Sequence, residues 1–209
     1  MPGVTDFLAR LTALAATGGL DGPDGLRYNA SLPELAAHYG DPWDGGRIHR
    51  ESRWPHGFSW GDVQTVFCHC RRLQSLSLPV WHGELELPLA GGGLVTLDTH
   101  VTESALIAAL TAAGCRWETV TYENVPDQRT LEVAVAEEVR VAFVLTDRDG
   151  HADHDGHQAR DGHADRDGHD APPPEDWLLN KALLWGYDHT DCPEPDRTLP
   201  DDGWGASPN

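Results

Sequence analysis

Five histidines set among aspartates are the residues of this chain that most directly suggest metal chemistry. They belong to a six-residue repeat of Asp-Gly-His units that begins at Asp149 and ends before three prolines at 172–174. Imidazole and carboxylate groups bind zinc, nickel or copper when the chain can wrap around the ion. A specific site also requires fixed geometry and supporting hydrogen bonds, which a polar repeat without a core does not provide. The sequence therefore favours a neutral expansion, with weak metal binding as the alternative; the histidines concerned are His151, His154, His157, His163 and His169.

The segment Cys68-His69-Cys70 is a second possible metal motif. The two cysteines are one residue apart inside a predicted strand, so both side chains lie on the same face. Structural zinc usually takes cysteines two to four residues apart and a second pair elsewhere. Cys115 and Cys192 complete such a set only by coincidence. We therefore interpret the cysteines as small buried thiols and expect no cofactor.

His82, Asp98 and His100 are the candidates for acid–base catalysis, because they follow predicted strands whose ends can meet. Hydrogen-bond contact among the three side chains would suit a small hydrolase. The sequence has no Gly-x-Ser-x-Gly elbow, no phosphate-binding glycine loop and no His-Glu-x-x-His motif. We therefore expect a protein that is not an enzyme, with a small hydrolase as one alternative.

The best candidate for binding another molecule is segment 43–60, which we predict to be a loop. Three arginines recur there at every third residue with three tryptophans nearby, and these two residue types dominate the energetics of protein interfaces. The alternative is that the tryptophans pack over the core with the arginines stacked on them. The predicted contact residues are Trp43, Arg47, Arg50, Arg53, Trp54 and Trp60.

The strong acidity of the chain argues against some classes of partner. The 209 residues carry a formal net charge of −19. Residues 147–176 hold ten acids against three arginines and residues 188–209 hold six against one, which leaves the rest near −7. Contacts to phosphates need lysine and arginine, so we expect neither nucleic acid nor an acidic membrane as a partner. A basic protein suits this charge, and the sequence leaves the oligomeric state open.

The elements that must position these residues follow from periodicity and end signals. A capping box at 31–34, with Ser31 and Glu34, predicts a short helix over 32–39, and Thr102 opens another that Gly114 ends. Segment 61–81 alternates with period two, which predicts a β-hairpin. Further predictions are a helix near 5–16, strands near 84–87 and 94–97 in the same sheet as that hairpin, a short strand near 117–121, a hairpin over 130–145, and a last strand or short helix over 177–185.

This order of elements predicts an α+β fold of two helix-plus-antiparallel-hairpin units packed as one compact domain. We assign residues 1–146 and 177–187 to that domain, 147–176 to a disordered low-complexity insertion, and 188–209 to a disordered acidic tail. The chain shows no secretion signal and no apolar window of 18 residues, so a cytoplasmic protein is expected.

Segments 39–44, 60–67 and 72–81 resemble small actinobacterial proteins that are grouped with the immunity proteins of polymorphic-toxin systems. The similarity covers about residues 30 to 145. The resemblance implies a compact, non-enzymatic α+β protein that binds and neutralises a toxin, and it carries over no catalytic residue. Together with the acidic body and the loop at 43–60, it leads us to expect a protein-binding inhibitor, with metal binding by the histidine repeat as the main alternative.

Overall fold

The computed structural model describes residues 3–20, 25–50, 54–147, 176–186 and 192. The histidine repeat, Arg53 and all of the acidic tail except Cys192 lie outside these residues. The helices are α1 (Val4–Thr17), α2 (Leu32–Tyr39) and α3 (Glu103–Ala112). The strands are β1 (Trp43–Arg47), β2 (His56–Trp60), β3 (Val63–Phe67), β4 (Leu73–Pro79), β5 (Glu84–Pro88), β6 (Leu94–Asp98), β7 (Trp117–Tyr122), β8 (Val125–Ala136), β9 (Val139–Thr146) and β10 (Leu178–Gly186). None of the described helices has the length and apolar character that a membrane span requires.

Eight strands form one antiparallel sheet with the order β1-β2-β3-β4-β10-β9-β8-β7. Strands β1 to β4 form a meander at one edge, and β7 to β9 form another at the opposite edge. The α+β class is therefore confirmed. The prediction of two helix-plus-hairpin units is wrong, because both meanders belong to a single sheet.

Strand β10 is the element that joins the two meanders. The hairpins β3–β4 and β8–β9 each form as predicted. Each would leave an edge of unpaired N–H and C=O groups, which favours the addition of another strand. Strand β10 pairs with both edges, so that Ala182 lies opposite Leu78 of β4 and Phe143 of β9. The segment predicted as either a strand or a helix is thus a central strand.

The helices contribute their apolar side chains to a core that lies on one face of the sheet. In α2 the predicted capping box forms, because the Ser31 hydroxyl accepts from the Glu34 N–H and the Glu34 carboxylate accepts from the Ser31 N–H. Helix α3 begins after the predicted Thr102 cap, whereas α1 begins after Gly3, slightly earlier than predicted. The core residues include Phe7, Leu11, Leu14, Leu32, Leu35, Val63, Phe67, Leu76, Leu78, Leu106, Leu110, Val141 and Phe143.

Strands β5 and β6 form as predicted but make a separate two-stranded sheet. They were expected in the same sheet as β3 and β4, but both edges of β4 are paired, one with β3 and the other with β10. They cross the β2–β3 turn instead, where the Asp62 N–H donates to the Glu86 carbonyl at 3.0 Å and the Glu86 N–H donates to the Asp62 carboxylate at 2.7 Å. Gly61 in that turn has φ = 57°, and a Cβ there would come within 2.6 Å of the Glu86 carbonyl.

The segment predicted as a loop at 43–60 contains strands β1 and β2. In β2 every second side chain is buried, namely those of His56, Phe58 and Trp60. Strand β1 pairs with β2 through a register shift between Asp44 and Gly46. The period-two pattern was missed because glycine and proline, which are depleted in strands, are frequent in this segment.

Candidate functional site

The face of the large sheet opposite the helices carries mostly polar or small side chains. Side chains in a strand alternate between the two faces, so the residues between the core positions share this outer face. The strand register aligns one residue from each strand across the whole sheet, in the order Trp43, Ser59, Gln64, Ser77, Leu183, Ala142, Glu132 and Glu118.

A groove of about 610 Å³ lies on this outer face over β1 to β4 and β10. Residues without a side chain or with a short one line it, among them Gly45, Gly57, Ser59, Ser75 and Ser77. Because these side chains fill little space, the sheet surface beneath the groove is recessed. The volume falls within the range of roughly 300–1,000 Å³ that is typical of binding sites.

Two exposed tryptophans line the groove. Trp43 belongs to edge strand β1 and has 73% of its surface exposed, and Trp81 follows β4 and has 44% exposed. The Trp81 indole N–H donates to Nε2 of His82 at 2.7 Å, which restricts the orientation of the ring. With Ile48, which is also exposed, these side chains give the groove apolar margins. Trp43 was a predicted contact residue, whereas Trp81 was missed because its position after a strand gives no signal of exposure.

The charged residues that line the groove are Asp62, Glu84 and Lys181. Two carboxylates therefore stand against one ammonium group. Among the described residues, the lining therefore has an excess of one negative charge. The chain as a whole is strongly acidic, and both features favour a basic ligand.

Trp54 and Trp60 were predicted to contact a partner, but the structure places both in the core. Their side chains are 8% and 4% exposed. The Trp60 ring packs near Tyr39 and Phe67, and its indole N–H donates to the Gly40 carbonyl at 2.8 Å. An enclosed side chain cannot reach a partner without unfolding, so we correct these two residues to packing residues.

The predicted arginines are distributed differently from the tryptophans. Arg47 and Arg50 are exposed, and Arg53 lies outside the described residues. The arginine that lies over the ring of Trp54 is Arg71, whose guanidinium carbon is 5.9 Å from the ring centre. In the described part of the chain, Arg47 at the end of β1 and Arg50 shortly after it are therefore exposed to a partner.

Each of the three residues considered for a hydrolase makes a local hydrogen bond, and the His100 ring lies against Gly83, the chain neighbour of His82. Asp98 accepts a hydrogen bond from the His100 backbone N–H at 3.0 Å, and its Oδ1 lies 2.8 Å from Nδ1 of His100. These two bonds, the backbone one first, hold the pKa of Asp98 below its usual value. His82 instead accepts from Trp81. The Asp98 and His100 side chains are about half and more than two-thirds exposed, unlike the enclosed groups typical of catalytic sites.

Cys68 and Cys70 were predicted to lie in a strand, but the structure places them in the β3–β4 turn. Their sulfurs are 3.0 Å apart, and the Cys192 sulfur is 3.7 Å from that of Cys70. Burial, followed by the neighbouring thiols, raises the pKa of Cys70 to about 12. None of the four cysteines forms a disulfide, and Cys115 is not part of this cluster. The sequence made it improbable that a third cysteine would lie beside this pair. The structure nevertheless places Cys192 there.

No protein-family model, curated protein or solved structure matches this chain. The resemblance to immunity proteins therefore stays a prediction. All three segments that carry it, 39–44, 60–67 and 72–81, contribute residues to the lining of the groove.

Proposed function

We propose that this protein is a protein-binding module, and specifically an immunity-type inhibitor that neutralises a basic bacterial toxin through the groove. The observation that supports the proposal is the pair of exposed tryptophans, Trp43 and Trp81, at the margins of a groove with a polar floor. Tryptophan is among the residue types that most often dominate binding energy at interfaces.

The groove suits a lysine or arginine side chain of the toxin. A cation over an indole face gains about 0.5–1 kcal/mol when exposed and about 2 kcal/mol when water is excluded. The Glu84 carboxylate lines the same groove and adds an attractive charge.

The acidity of the whole chain supports the same class of partner. Opposite net charge accelerates the encounter of two proteins, and the effect weakens as salt screens it. With a net charge of −19, this protein should associate with a basic toxin faster at low salt than at high salt. A stopped-flow measurement at several ionic strengths reports that dependence directly.

The test uses co-expression with the toxin-like product of a neighbouring reading frame, together with calorimetric titration of the two purified proteins. Trp43→Ala and Trp81→Ala should each weaken binding at least tenfold, which corresponds to about 1.4 kcal/mol. The matched control is Tyr122→Ala, because Tyr122 is 44% exposed like Trp81 but lies in β7 at the opposite edge of the sheet. All three variants should unfold at the temperature of the wild type, since these side chains are exposed.

Three results would count against the proposal. The first is that the wild-type protein fails to protect cells from the toxin. The second is that Tyr122→Ala weakens binding as much as the tryptophan variants do, which would remove the groove from the interface. The third is binding to a partner with acidic net charge, which would exclude the charge argument.

A further inference from the structure

Three sulfur atoms from two distant parts of the sequence meet at one end of the large sheet. The ligand atoms of Cys68, Cys70 and Cys192 all lie within 4.8 Å of one another. No histidine, aspartate or glutamate among the described residues joins this set. The cluster lies apart from the groove, since none of the three residues contributes to the groove lining.

The topology of the sheet explains why these residues meet. Strand β10 is antiparallel to β4, and Trp185 near its end lies opposite Ser75 near the start of β4. The chain therefore leaves β10 beside the β3–β4 turn that holds Cys68 and Cys70. Five residues separate Gly186 from Cys192, and a chain of that length easily spans the distance between neighbouring strands, about 4.8 Å each.

The turn that holds the first two cysteines is fixed by backbone hydrogen bonds. The Cys68 N–H donates to the Arg72 carbonyl at 2.9 Å, and the Arg71 N–H donates to the Cys68 carbonyl at 2.9 Å. Arg71 has φ = 59°, which closes the turn. The turn itself therefore holds two of the three sulfurs close together, and the third belongs to the segment after β10.

The spacing of the sulfurs suits a metal ion better than a disulfide. Three sulfurs that bind one zinc ion at about 2.3 Å in tetrahedral geometry lie about 3.8 Å apart. The Cys70–Cys192 separation of 3.7 Å is close to this value, and the Cys68–Cys70 separation of 3.0 Å must widen by less than about 1 Å. The Cys68–Cys192 separation is at most 4.8 Å. A disulfide needs about 2.05 Å and would leave one of the three thiols without a partner.

We propose that Cys68, Cys70 and Cys192 form a binding site for one thiophilic d10 cation, Zn²⁺ or Cu⁺, which ties the chain after β10 to the β3–β4 turn. Thiolate sulfur is the soft ligand that favours these ions over magnesium, calcium or manganese. Each cysteine loses its proton on binding, and the three sulfurs provide an all-thiolate set. For Zn²⁺ a fourth position remains for water, whereas Cu⁺ is satisfied by three sulfurs.

The experiment uses the full chain, reduced and free of metal, and titrates it separately with Cu⁺ and with Cd²⁺ as the spectroscopic substitute for Zn²⁺. Two readouts are specific for sulfur, so metal bound only by the histidine repeat gives no signal in either. The first is the ultraviolet charge-transfer absorption of metal thiolates. The second is alkylation of thiols, counted by mass spectrometry. We expect one ion per chain, with three thiols protected and Cys115 still modified.

The variants separate this site from other metal binding. Cys70→Ser and Cys192→Ser should each abolish the charge-transfer absorption or weaken affinity by more than the roughly 10–100-fold that loss of a supporting residue costs. Cys115→Ser is the matched control and should bind as the wild type does. Cys192→Ser also guards against misfolding, because Cys192 lies outside the sheet and helices.

The two ions are distinguished by the same titrations. Protection of three thiols by either ion supports the site and identifies the ion that binds more tightly. Equal alkylation of all four thiols in the presence of both ions would overturn the proposal. A loss of two mass units in air, with no charge-transfer signal, would replace it with a disulfide.

Discussion

Replacing Trp60 by alanine is expected to destabilise the protein strongly and to leave the groove surface itself unchanged. The side chain is 4% exposed, and its indole N–H donates to the Gly40 carbonyl at 2.8 Å. Truncation of a buried tryptophan to alanine costs about 3–5 kcal/mol through lost burial and the cavity that remains. Trp60→Phe keeps a ring in the cavity, so we expect roughly 2 kcal/mol, of which the lost hydrogen bond accounts for about 1–1.5 kcal/mol.

Urea unfolding followed by far-ultraviolet circular dichroism measures both effects, with the slope of the transition held constant between variants. The control is Trp81→Phe, because this exposed ring should change the free energy of unfolding by less than about 0.5 kcal/mol. At this chain length, each kcal/mol lost from the free energy of unfolding also lowers the temperature midpoint of thermal unfolding by about 2–4 °C.

The reasoning would be refuted if Trp60→Ala lost less than about 1 kcal/mol, since no buried tryptophan in a packed core is that dispensable. It would also be refuted if Trp60→Ala retained full stability while losing affinity for the proposed toxin partner. That result would restore Trp60 to the contact residues expected from its sequence.

Three further predictions concern the second half of the chain. Burial by itself raises the pKa of Asp176, but hydrogen bonds from Ser104 outweigh it and hold that pKa below its usual value. The ionised carboxylate therefore stabilises the folded protein above the unfolded pKa of about 3.9, and this stabilisation is lost as pH falls. Asp176→Asn should therefore lower the urea midpoint at pH 7 but not at pH 2. An equal loss at both pH values would show that the charge of Asp176 is not the cause. The guanidinium carbon of Arg129 lies 4.3 Å from the ring centre of Trp177, and Arg129 forms an ion pair with Glu103 of α3. Arg129→Met should therefore lower the free energy of unfolding by about 1–2 kcal/mol in the same assay, and an unchanged value would contradict the stacking. Deleting 149–170 shortens the connection between the paired ends of β9 and β10 about threefold, which should raise the free energy of unfolding by about 1 kcal/mol. Binding to the proposed toxin should not change, and a lower urea midpoint would show that the repeat supports the fold.

The parts of the fold that depend on neighbouring residues were predictable from the sequence. The α2 capping box needs only Ser31 and Glu34, three residues apart, and the hairpins β3–β4 and β8–β9 need only alternation and a turn. The position of β10 was not predictable, because its alternation is the same whether it lies at an edge or in the centre. Its place depends on two open strand edges that lie far away in the sequence.

The same distinction applies to the candidate sites. Residue type alone made Trp43 a candidate, and its exposure in β1 supports that choice. Trp54 and Trp60 have the same residue type, but the period-two pattern of β2 that buries Trp60 was obscured by nearby glycine and proline. The meeting of Cys70 with Cys192 required the order of the strands, which no local spacing contains.

The central place of β10 has a consequence for how the chain reaches its native state. Until this strand inserts, β4 and β9 both present unpaired backbone beside apolar side chains, and such edges are prone to association between chains. The pairing of β10 with β4 also joins residues about a hundred positions apart, and contacts of that sequence separation slow folding. A chain that stops before Leu178 should therefore aggregate as two unfinished half-sheets, and a synthetic peptide of β10 added during refolding should restore the soluble form.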